Sequence, residues 1–165
     1  MRILGLDPGY AIVGWAVLDI EGQSQFDLVS YGTITTRQGL PMPTRLNEVF
    51  HDLQEIIDEF SPDYAGVEKV MLHKNVKTAT KVGEDTGVIL LALEQASVPI
   101  YEVTPLQVKN AVVGHGRAKK DEVQRAVTLL CGLSEIPQPD DAADAIAVAI
   151  CAHSHILSGA RPQLY

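Results

Sequence analysis

Cysteine is scarce in this chain. Cys131 and Cys151 stand alone in apolar surroundings, with no CxxC spacing and no Cys/His pattern, which excludes a disulfide framework and a zinc ribbon and leaves reduced, buried thiols. No apolar run reaches the roughly 20 residues of a membrane span. The opening run Met1 to Leu6 meets the charge of Asp7 too soon for a signal peptide, so a cytoplasmic protein is expected. Internal repeats and low-complexity stretches are also lacking. Aromatic residues make up only 5%, with no Phe or Tyr between Tyr64 and Tyr101, so long aromatic stacking surfaces are not available there. What is present is 165 residues, 46% of them hydrophobic, enough for one sizeable core and too few for a second domain.

Positive charge is in deficit, with a net charge of −8, which on its face argues against a nucleic-acid ligand. Its distribution argues otherwise. Eight of the thirteen basic residues fall in two windows free of Asp and Glu: Lys69, Lys74, Lys77 and Lys81 in the first, Lys109, Arg117, Lys119 and Lys120 in the second. A basic surface on an acidic body steers a polyanion to one face while limiting non-specific coating; two solvated lysine-rich loops would give the same count.

The first third reads as three strands, over residues 2 to 7, 13 to 20 and 27 to 36, joined by Asp7-Pro8-Gly9 and Glu21-Gly22-Gln23-Ser24 as an antiparallel meander. The period then changes. Leu46, Val49, Phe50, Leu53, Ile56, Ile57 and Phe60 recur at three and four, an amphipathic helix that Ser61-Pro62 ends. Tyr64 to Val70 is a short strand, Lys74 to about Ala96 a long helix, and Ile100 to Val103 a fifth strand. Thr104-Pro105-Leu106-Gln107 carries the cap, first-turn proline and Gln of a helix start, giving a helix to about Val113. Further helices follow from about Lys119 to Cys131 and from Asp140 to about Leu157. This order predicts an α/β fold with a mixed five-stranded sheet, three antiparallel strands plus two parallel ones, and helices on both faces. The domain is expected to occupy residues 1–157, and 158–165 to form a flexible tail.

Acidic residues supply the chemistry. Asp7 ends the first strand before a Pro-Gly turn, a position where an Asp also serves simply to initiate the turn. Glu68 interrupts an apolar strand, so it is paired with a neighbouring lysine, bound to a metal, or placed at a solvent-filled cleft. Asp140, Asp141 and Asp144 open the last helix, where acids also complement the helix dipole. Asp141 and Asp144 stand at i, i+3 and Asp140 and Asp144 at i, i+4, so either pair projects two carboxylates from one face. Ala145 to Ala152 is apolar all round, which implies a buried element that holds them. Clustered carboxylates suit Mg²⁺ or Mn²⁺, and two such ions about 3.5 to 4 Å apart can hold both oxygens of a phosphodiester displacement. Lys74, Lys77 and Lys81 share a face at the positive end of the long helix, as a phosphate track would. His115 lies in the basic loop and is placed to meet phosphate, whereas His153 and His155 read as solvated or dipole-stabilised.

Four segments in order resemble the RuvC family of Holliday-junction resolvases. They are Ile3-Leu4-Gly5-Leu6-Asp7-Pro8-Gly9 with Gly14-Trp15-Ala16, Pro62 to Glu68, Val108 to Lys120, and Asp141-Ala142-Ala143-Asp144-Ala145, together covering residues 2 to about 155. The resemblance implies an RNase H-like fold and a homodimer that nicks two strands of like polarity in a four-way DNA junction. It implies Mg²⁺ as cofactor, two ions per subunit with Mn²⁺ as a substitute, and the branch-migration proteins of recombination and repair as partners. It selects Asp141 and Asp144, with Asp7 and Glu68, as metal ligands and catalytic residues. It matches Lys120 to a catalytic lysine and Lys109 to a phosphate contact, and makes Met71 to Lys81, with Lys69, the stretch that engages the junction centre. Where members of the family place an aromatic residue shortly after the strand glutamate, this chain has Met71-Leu72, so an apolar side chain takes the wedging position. The competing readings are a nuclease of the same fold acting on RNA–DNA hybrids or damaged duplexes, a DNA-binding module whose acids are helix caps, and an actin-like or sugar kinase, for which the chain is too short.

Overall fold

The computed structural model describes residues 1–9, 12–37, 39–70 and 76–163, and of residues 76–79 the backbone alone. The first third forms three long strands, β1 (Arg2–Pro8) and β2 (Ile12–Glu21), buried on both faces, and β3 (Gln25–Thr35), which is more exposed. The helix α1 (Met42–Phe60) follows, then β4 (Tyr64–Glu68), α2 (Val76–Gln95), β5 (Ile100–Val103), α3 (Pro105–Val113), α4 (Lys120–Leu130) and α5 (Asp140–Leu157). The strand order is β3-β2-β1-β4-β5, with β1 pairing antiparallel to β2 and parallel to β4. The mixed α/β sheet expected from the sequence is therefore present, with element bounds within a few residues.

Period-two alternation assigns the two faces. Leu4, Leu6, Val13, Val17, Ala65 and Val67 point to a core shared with α1 and α2. Ile3, Ala16 and Leu18 point to the opposite core, built on α5 with α3 and α4. Every residue of α5 from Ala145 to His153 is buried, which explains a helix with no polar stripe over that stretch. The N-terminus of α3 is held by a capping box, in which the Thr104 hydroxyl accepts from the Gln107 amide and Gln107 Oε1 accepts from the Thr104 amide at 2.8 Å.

Two parts differ from expectation. The segment after α5 is tied back to the sheet edge, where the Gln163 amide donates to the Ile100 carbonyl at 2.8 Å. His153 is not solvated: it is 1% exposed, lies edge-on to Phe26, and stands close enough to the backbone of Gly22 in the β2–β3 turn for that backbone to influence its proton affinity. No helix among the described residues is long and apolar enough to cross a membrane. Both cysteines are free thiols, pushed up in pKa by burial.

Candidate active site

β1 and β4 are parallel neighbours, so their C-terminal ends meet at one edge of the sheet. The register Leu6 to Val67 sets Asp7 beside Glu68. Because Ile3 faces α5 and side chains alternate along a strand, Asp7 faces α5 as well; Glu68 shares the face of Gly66, two residues before it, which packs on α5. The two carboxyl groups are close enough for each to shift the proton affinity of the other.

Close approach of α5 delivers the helical acids. Gly14, the cross-strand partner of Asp7, lies directly under the Asp141 carbonyl, and a Cβ there would overlap it. Gly5 lies likewise under Ala145 and Ala149, and a Cβ on Gly66 would stand 2.8 Å from Ala152 Cβ. These glycines form a notch running diagonally across β2, β1 and β4. They were legible in the sequence only as glycines inside strands, the usual sign of a close backbone approach. With α5 seated in the notch, Asp141 and Asp144 both act electrostatically on Asp7, and Asp144 acts on Glu68.

Crowding of like charge in a partly buried place has the expected effect on proton affinity. Burial first, then the charges of Asp144 and Asp141, push Asp7 up to about 6. Burial, then Asp7 and Asp144, push Glu68 up to about 8. Asp144 is raised by burial and partly relieved by Lys120. The Lys120 ammonium stands 3.1 Å from Asp144 Oδ2 and 3.4 Å from Asp140 Oδ2. The other oxygen of Asp140 accepts from Gln124 at 3.0 Å. Asp140 is thus committed to α4 rather than to the strand acids. No side chain caps the N-terminus of α5, so its acids are not serving as caps.

Beside the acids a cleft of about 220 Å³ opens between α3, α4 and α5, with Glu68, Lys109, Lys120 and Asp144 on its walls. The second basic window surrounds it: His115, Arg117 and Lys119 are exposed on the loop between α3 and α4, and the Lys119 amide donates to Glu122 at 2.7 Å. Lys69 is turned away from Glu68 and pairs with Glu102 at 3.5 Å, so the strand acid is not neutralised by its sequence neighbour. Lys81 is exposed on α2. Met71 and Lys74 lie outside the described residues, as does the side chain of Lys77.

The donors gathered here are carboxylate oxygens, the set that hard divalent cations prefer, and their raised proton affinity records unrelieved negative charge that a cation would relieve. Among the described residues no group of three or more His, Cys, Asp or Glu side chains is already arranged to hold a metal ion. Lys120 supplies the positive charge at Asp144 instead.

Residues 3–153 match the family described as crossover junction endodeoxyribonuclease RuvC. A protein of that name from Brevibacillus brevis is 53% identical over 150 residues, which cover 91% of this chain and 90% of the relative. The Thermus thermophilus RuvC structure has the same RNase H-like architecture, with a TM-score of 0.90 at 33% identity, covering 99% of this chain and 100% of that one. T. thermophilus RuvC in complex with Holliday junction substrate gives 0.92 at 33% identity over 99% of each chain.

Proposed function

The chain belongs to the RuvC family of crossover junction endodeoxyribonucleases, and on that premise we propose that it resolves four-way DNA junctions in the cytoplasm by paired, symmetric nicks. The observation that carries the reading is the meeting of Asp7, Glu68, Asp141 and Asp144 at one sheet edge, beside a cleft with Lys109 and Lys120 on its walls. A carboxylate set of this kind is of little use to a module that only binds DNA, since it repels phosphate.

Asp7, Glu68, Asp141 and Asp144 are the residues to hold two Mg²⁺ ions per subunit, with Mn²⁺ as a substitute. When bound, these ions supply the Lewis acidity that activates water and neutralises charge on the phosphodiester. The chain's own groups do the remainder. Asp7 anchors the cluster from the strand side, because it interacts with all three of the other acids. Glu68 retains a proton near neutral pH in the cation-free protein, shared with Asp7, and gives it up as positive charge arrives. Lys120 Nζ, standing between Asp140 and Asp144, is placed to neutralise the developing oxyanion, and Lys109 to orient the strand entering the cleft. Hydrolysis then proceeds in line, with no covalent enzyme intermediate. His115, Arg117 and Lys119 extend the phosphate-binding surface, and the stretch from Lys69 and Met71 through Lys74, Lys77 and Lys81 engages the junction centre.

A homodimer, working beside branch-migration proteins, accounts for symmetric cutting. Its contact is supported by the outward face of α2, where Gly83 and Gly87 have open space beside them and Leu91 is 51% exposed. Purified protein offered a mobile four-way junction, a linear duplex and an RNA–DNA hybrid, each with Mg²⁺, Mn²⁺ or chelator, tests the reading. Paired nicks in the junction alone, lost in chelator, are expected. Preferential cutting of the hybrid, or nicking unaffected by chelator, would overturn it.

A further inference from the structure

The core on the α1 and α2 side contains one buried ion pair. Arg45 on α1 is 7% exposed and Asp85 on α2 is 1% exposed, with the Arg45 guanidinium 3.8 Å from Asp85 Oδ2. Arg45 Nε also donates to Thr36 Oγ1 at 2.7 Å, and Thr36, itself buried, directly follows β3. This end of β3 is the catalytic end of the sheet, because Thr35 pairs with Ile12, just past the turn that follows Asp7. The three residues join the edge strand, the first helix and the middle of α2 at the level of the site.

Stability does not explain this arrangement. Two charges taken from water are seldom better than apolar side chains of similar volume. Here, moreover, Asp85 Oδ1 has no hydrogen-bond partner among the described residues. The anchoring of α2 suggests the explanation. Its C-terminal half is fixed to the core by Ile89, Ala92 and Leu93, all at most 1% exposed. From Thr80 to Gly87 the only buried side chains are Val82 and Asp85, and a cleft of about 390 Å³ separates Met42 from Thr80, Lys81 and Glu84. Among the described residues apolar packing on this half is thin, and the ion pair is the buried polar contact that ties it to α1.

We infer that the Thr36–Arg45–Asp85 network sets the register of the DNA-facing half of α2 against the catalytic edge, so that Arg45 and Asp85 are positioning residues for junction engagement. The inference rests on the reading of Lys74 to Lys81 as the stretch that meets the junction centre. A buried ion pair suits the task because a shift that separates the two groups leaves each charge uncompensated away from water.

The test combines a double variant, Arg45→Met with Asp85→Leu, and hydrogen exchange along α2. The double variant is expected to melt no lower than the wild type and to keep kcat at saturating junction within about twofold, while KM for the junction rises about tenfold or more. An unchanged KM in the folded variant would overturn the inference. Should the double variant not fold, Asp85→Asn keeps the shape and removes the charge. Its amides from Thr80 to Gly87 are expected to lose protection while those from Ile89 to Gln95 keep theirs. Equal protection in both halves would overturn the inference as well. A wild type that leaves junctions uncut would defeat the junction reading, and the exchange experiment would still decide this one.

Discussion

The two helix layers on this sheet are built by opposite means. On one face α5 lies in a notch of glycines, is buried along most of its length, and has no freedom to shift without backbone overlap. It positions Asp141 and Asp144 against Asp7. On the other face, α2 is apolar mainly in its second half, and among the described side chains of its first half Val82 and Asp85, the latter paired with Arg45, are the buried ones, beside a cleft. The difference separates two demands. The acids proposed to hold the cations sit on the tightly packed layer, where positions are fixed most closely. The basic segment proposed to meet the junction leads into the loosely packed one.

The comparison can be broken most severely at the notch. Gly5→Val, which sets a side chain against Ala145 and Ala149, should cost about 3 kcal/mol or more, a fall in Tm of roughly 6–12 °C by calorimetry. A variant that melts like the wild type would mean that α5 is not seated as tightly as described.

Lys120→Ala comes next. It should lower single-turnover cutting about 100-fold while junction binding in a gel-shift assay changes far less. An equal loss in both would make Lys120 a binding residue only.

The third effect is on pH dependence. Asp7 and Glu68 are raised in the folded protein, to about 6 and about 8, above their ordinary values of 3.8 and 4.5. The folded state therefore binds more protons than the unfolded one across that window, and cation-free stability must fall as pH rises through it. Thermal melts in chelator should drop by roughly 5 °C between pH 5 and pH 8, and Glu68→Gln should remove most of the slope above pH 6. Stability that rises over this range in the wild type would contradict the crowding of charge.

The smallest effect belongs to α2. Gly83→Ala and Gly87→Ala meet open space, and each should stabilise the isolated chain by about 0.5–1 kcal/mol. A loss in Tm confined to concentrations at which the wild type is dimeric, and vanishing on dilution, would show that this face is covered in the proposed dimer.

Much of this was legible beforehand because it depends on neighbours in sequence. Short runs bounded by turn signals marked the strands, the Thr104–Gln107 capping box marked α3, and an unbroken apolar run marked α5 as buried. Asp7 and Glu68 stood out as acids in apolar strands. What could not be read depends on pairs far apart in the chain. Asp140 and Asp141 offer equal helical spacing to Asp144, and only the position of Gln124 and Lys120 on α4 draws Asp140 aside. Arg45 reads as one more polar residue of an amphipathic helix until Asp85 meets it under α2. His153 has the look of a residue at an exposed helix end, but the β2–β3 turn folds over it.

The most direct measurement is single-turnover nicking of a four-way junction by the wild type and by Asp7→Asn, with binding to the same junction measured in parallel. Asp7 is the acid on which the others converge, so its replacement should reduce nicking about 1000-fold or more while affinity stays within about threefold. Nicking by Asp7→Asn at the wild-type rate would contradict the assignment of this carboxylate cluster as the catalytic centre.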